Sequence, residues 1–160
     1  MMLSYTLVLH RLETLLLFPV NNPELIPSLM PIIVGFIVLE LYFGKYKYEE
    51  LGWNSAVGNS TMLVTTALSL IIEKNLIGSI KTLEARTALF ILIAGLIILI
   101  FDYFHIWRRK IAFNISSAFV TYLTSYVLIT VTYSSIPIGI ATIMAAVLFG
   151  GILFLVFNFL

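Results

Sequence analysis

Two carboxylates stand where the chain is otherwise nearly free of charge: Glu40, inside the run FIVLELYFGKY, and Asp102, inside LIFDYFHIWRRK. Around the first lie Glu49, Glu50, Asn54 and Asn59, and around the second His105, Arg108, Arg109 and Asn114. Paired acids beside arginine and histidine are the equipment for holding a divalent cation and a phosphate headgroup, as lipid phosphotransferases do. The same groups serve equally as an ion-pair network that fixes one loop against another. Gly95, Asp102, His105 and Arg109 follow helical steps and share one face if the helix around Asp102 continues that far. The small residue would then admit another helix closely and bury Asp102.

Both acids depend on the apolar segments that carry them. Hydrophobic residues make up 61% of the 160 positions and charged residues 11%, and the mean hydropathy is +1.07. A soluble domain of this size cannot present that balance to water, so lipid is the expected solvent for most of the chain. A spanning helix takes roughly 20 mostly apolar residues. Five windows qualify: residues 26–43, 56–72, 87–104, 115–133 and 137–160. The predicted fold class is therefore all-α, a polytopic membrane bundle of about five transmembrane helices over residues 26–160.

Residues 1–18 are predicted as a separate amphipathic helix lying in the membrane interface and ended by Pro19. Tyr5, Val8, Leu9, Leu12, Leu15 and Leu16 form its apolar face, with Thr6, His10, Glu13 and Thr14 opposite. As a span it would carry His10, Arg11 and Glu13 to mid-membrane, at about 3 kcal/mol for each ionised group. As a signal peptide it lacks an early positive charge and a small-residue cleavage site.

Five spans put residues 44–55, residues 105–114 and the C-terminus on one side. That side holds five of the nine basic residues, Lys45, Lys47, Arg108, Arg109 and Lys110, and is read as cytoplasmic, with the cell membrane as the location. Both tryptophans, Trp53 and Trp107, fall there with Tyr42, Tyr46, Tyr48 and Tyr103, as an aromatic belt would. Helix rise sets Glu40 roughly 4 to 5 Å and Asp102 roughly 7 to 8 Å inside that boundary.

Small and polar stripes mark the helix contacts. Thr142, Ala146 and Gly150 repeat every four residues in the last window, a packing face for a neighbouring helix or a second copy. Ser117, Thr121 and Ser125 do the same in the fourth, and Ser55, Asn59, Met62, Thr66, Ser69 and Glu73 run along the second. The last stripe reads either as interhelical hydrogen bonding or as a polar path for an ion or small solute.

Composition narrows the functions. A formal net charge of +1 gives no basic surface for nucleic acid. Cysteine is absent and histidine occurs only at His10 and His105, which removes thiolate chemistry, disulfides and a His/Cys zinc site. No cofactor is expected. The spaced aspartates of CDP-alcohol phosphatidyltransferases, the Gly-x-Gly-Asp of membrane aspartyl proteases and the histidine boxes of membrane desaturases are all missing from the sequence. The leading expectation is a non-catalytic subunit or assembly partner whose contacts are the bilayer, other membrane proteins or copies of itself. A small permease using the second-window stripe comes next, and an interfacial lipid-headgroup enzyme built on Glu40 and Asp102 third.

Overall fold

The computed structural model describes residues 5–45, 52–75, 78, 81–134 and 136–159. Lys47, Glu49 and Glu50, read above as part of a charged loop, lie outside them. The protein is all-helical, with no strand among the described residues. Helix α1 covers Tyr5–Asn21 and α2 covers Ile26–Lys45, joined through one 3-10 turn at Pro23–Leu25. Then follow α3 (Trp53–Glu73), α4 (Leu83–Tyr103), the short α5 (Arg109–Ile115), α6 (Ala118–Ser134) and α7 (Ile140–Phe159).

Among the described residues, four stretches are long and apolar enough to cross a membrane: α3, α4, α5 with α6, and α7 up to Phe157. Helix α2 is 20 residues long, and its described apolar stretch is Ile32–Leu41. The less apolar pair, α3 and α5–α6, is 44% and 56% buried, whereas the more apolar α4 and α7 are 17% and 28% buried. In water that order would be reversed. A lipid solvent leaves the greasiest helices outside and draws the hydroxyl-rich ones together, where their side chains find partners.

Helix α6 is the hub. It runs antiparallel to α2, with Gly35 against Tyr122 and Phe36 near Phe119, and antiparallel to α7, with Tyr126 stacked on Phe149 and Gly150 against Leu123. It is parallel to α3, since Ser116, just ahead of it, meets Ser60 and its far end meets Glu73 through Tyr133. Helix α4 pairs antiparallel with α3, where Gly95 is buried against Val64 and Leu63.

Helix α1 departs from the sequence reading. It packs along α7, buries Val8, Leu15 and Phe18, and runs through Pro19 to Asn21 rather than stopping at residue 18. The reason is one hydrogen bond. Proline has no N–H to give the carbonyl four residues earlier, so Leu15 loses its intrahelical donor. The Tyr126 hydroxyl donates to that carbonyl at 2.7 Å from the middle of α6. His10 and Glu13 keep to the outer face, 3.7 Å apart and exposed.

Candidate functional site

Asp102 is the centre of the polar layer. It lies one residue from the end of α4 and has no exposed surface. Ser60 of α3 donates to Oδ2 at 2.6 Å, and Ser116, between α5 and α6, donates to the same oxygen at 2.5 Å. The Trp107 indole N–H donates to Oδ1 at 2.8 Å. The two O–H···O distances are those of charge-assisted bonds. A helix C-terminus presents its negative end to a carboxylate. Here α6 begins two residues after Ser116, so the positive end of another helix lies close by and offsets it.

Small residues let the surrounding backbones close on this point. Ala56 of α3 and Ala112 of α5 have no exposed surface. Asn59, one position before Ser60, donates its side-chain N–H to the Ser116 carbonyl at 2.8 Å, fixing the junction from a second direction. Ser117 then accepts from the Val120 N–H at 3.3 Å and caps α6. The junction is thus built from side chains that would otherwise break helices, with Asn59 and Ser117 bonded to backbone groups and Ser116 to the Asp102 carboxylate.

The sequence expectation that Asp102, His105 and Arg109 share one helix face does not hold, because α4 stops at Tyr103. His105 adopts φ 53°, in the left-handed region. Its N–H bonds to the Asp102 carbonyl at 3.2 Å and the Ile106 N–H bonds to the Phe101 carbonyl at 2.9 Å. These two bonds form a Schellman ending, usually made with glycine. The turn brings Trp107 back against Phe101, at 5.4 Å between ring centroids, and aims its N–H at Asp102. His105 itself stacks on Trp53 at 4.1 Å, and Trp53 also meets Phe113 edge-on.

The other candidates are placed as follows. Asn59 joins the Asp102 layer, while Asn54 is exposed on the first turn of α3. Arg108 is exposed ahead of α5, and the exposed Arg109 lies with its guanidinium 5.8 Å from the Phe113 ring centre. Glu40 is half-buried on α2, which packs against α6 and α7, whereas the groups that close over Asp102 come from α3, Ser116 and Trp107. At Asp102 the two serine hydroxyls and the Trp107 indole are the donors, all of them neutral. Ser60 and Ser116 were not singled out from sequence, because hydroxyls recur throughout both helices and nothing in their spacing marks these two.

Chemically the layer is a closed lock. Asp102, Ser60 and Ser116 are all fully buried. At the opposite end of the same helices, Tyr133 donates to Glu73 Oε2 at 2.8 Å and the Lys74 ammonium sits 3.8 Å over the Tyr133 ring. The stripe Thr142, Ala146 and Gly150 faces α6: Thr142 is buried and donates to the Pro137 carbonyl at 2.7 Å, and Gly150 packs on Leu123. Comparison of the chain with protein-family models, with curated proteins and with solved structures finds no match in any of the three.

Proposed function

We propose that the protein is a non-catalytic, polytopic subunit of a membrane complex, seating a transmembrane helix of a partner protein. The observation that carries this reading is an apolar groove of about 580 Å³ between α4, α6 and α7. Its α7 wall extends from Ile138, just ahead of the helix, to Phe154, which is about 24 Å at helical rise, the scale of a bilayer-crossing helix rather than of a small ligand. Ala146, Gly150 and Gly151 keep that wall low, as close helix packing in lipid requires. The enclosed Asp102 layer supports the same reading, since its donors and acceptors are spent on holding helices together. In this proposal the cell membrane is the location, with residues 44–55 and 105–114 and the C-terminus cytoplasmic.

Gly151 makes the test selective. A Cβ added there meets nothing within 4 Å, whereas one at Gly150 falls 2.8 Å from Leu123. A side chain at 151 therefore starts in open space beside the groove, and Gly151→Phe is the variant chosen to occupy it. The wild-type protein, extracted from its native membranes in mild detergent, is expected to co-purify with a membrane partner in fixed ratio, and Gly151→Phe to lose that partner at unchanged thermal stability. A monomer with no companion protein, or a complex indifferent to Gly151→Phe, overturns the proposal.

A further inference from the structure

A second hollow, of about 260 Å³, lies on another face of the bundle, between α2, α3 and α6. Its α3 wall carries Thr65, Thr66, Ser69 and Glu73 beside Leu70, with Met62 at the inner end. From Glu73 to Met62 is eleven residues, about 16 Å of helix, so the hollow reaches from the end of α3 to its middle. One turn further along α3 stand Asn59 and Ser60, already committed to Ser116 and Asp102. On the α6 wall Tyr133 holds Glu73 in place at 2.8 Å.

We propose that this hollow is a solvated vestibule that binds an ammonium-class cation at Glu73. A row of hydroxyls ending in a carboxylate is the reverse of what a lipid-facing surface carries. Each hydroxyl presents acceptor lone pairs, and the carboxylate is the charged group of the lining. Beside the hollow, the Lys74 ammonium rests 3.8 Å from the Tyr133 ring centre. The cation can arrive free from solution or as the headgroup amine of a phospholipid.

The chain has no cysteine, so single cysteines report the vestibule without background. Ser69→Cys and Thr66→Cys, in nitrogen-free digalactosyldiacylglycerol vesicles, are to be reacted with membrane-impermeant cationic and anionic thiosulfonates, with Leu68→Cys as the control on the exposed apolar side of the same helix. Reaction at 66 and 69 but not at 68 is expected. The ratio of cationic to anionic rates should fall about tenfold when Glu73→Gln is added, for unit charges roughly 6 Å apart in water-like surroundings. Methylammonium ions in one arm and phosphatidylethanolamine in the other should separate the two sources: protection of Ser69→Cys that Glu73→Gln abolishes identifies which amine binds. A rate ratio unchanged by Glu73→Gln, or protection in neither arm, overturns the site. Unreactive cysteines at 66 and 69 overturn the vestibule itself. None of these readouts involves the α4–α7 groove.

Discussion

Replacing Tyr126 by phenylalanine tests the most specific physical claim the structure makes, that a side chain on α6 substitutes for the N–H missing at Pro19. The ring stack on Phe149, at 5.4 Å between centroids, survives the change. What is lost is the 2.7 Å bond to the Leu15 carbonyl. Leu15 has no exposed surface and proline offers its carbonyl no replacement donor. An orphaned buried acceptor costs about 1–3 kcal/mol, so a loss of about 2 kcal/mol is expected in the otherwise native chain.

The same change made beside Pro19→Ala should cost much less. Alanine at that position gives Leu15 its intrahelical donor, so removing the phenol then forfeits only a neutral interhelical bond, about 0.6 kcal/mol in measured membrane helices. The coupling energy is the difference, about 1.4 kcal/mol, well outside the roughly 0.5 kcal/mol scatter of independent sites. Reversible unfolding of the four proteins in mixed detergent micelles, followed by far-ultraviolet circular dichroism, measures it. Equal penalties for Tyr126→Phe in both backgrounds would refute the claim, whatever the stability of Pro19→Ala itself.

Three further outcomes follow from packing and hydrogen bonding. Asp102→Ala removes three charge-assisted bonds at about 1.5 kcal/mol each, of which the serines recover about 1.2 kcal/mol between them through other partners, leaving a net loss of about 3 kcal/mol. Asp102→Asn still offers an oxygen to Trp107 and should lose only about 1 kcal/mol by the same unfolding measurement; equal losses would show that the donors do not converge there. Gly35→Ala sets a Cβ 2.6 Å from Tyr122 Cε1, a destabilisation of about 1–3 kcal/mol that Tyr122→Leu should relieve. His105→Gly keeps the left-handed turn without its strain, so it should exceed His105→Ala in stability by about 1 kcal/mol; no difference between them would remove the Schellman ending.

Much of the helical layout is legible because lipid imposes long apolar runs, and the windows differ from the observed helices by a few residues at most ends. Internal order was partly legible too: hydroxyls crowd the second and fourth windows, which became the buried α3 and α6. Two endings were not. Pro19 reads as a stop because its rescue comes from Tyr126, more than a hundred positions away, and no local pattern reveals a donor supplied in three dimensions. Residues 115–133 read as one span, yet the chain breaks at Ser116 and Ser117 between α5 and α6. Serines there look like any others in a helix until Asp102 and Asn59 supply the bonds that make the break favourable.

The polar layer was legible by place but not by partner, and the left-handed residue explains why. Arginines six and seven positions beyond Asp102 are the obvious counter-charges for it on an unbroken helix. With histidine rather than glycine at the turn, nothing local announces that the helix ends. Once His105 takes φ 53°, the chain folds back after two residues, so the indole of Trp107 reaches the carboxylate and Arg108 is carried to the exposed side. The exchange suits a buried acid in lipid: a guanidinium drawn into that position would itself need desolvating, whereas two hydroxyls and an indole satisfy both oxygens with little added polar surface. That choice of donors makes Asp102 a fastener for α3, α4 and the α5–α6 junction, at the opposite end of α3 from Glu73, whose carboxylate accepts from Tyr133.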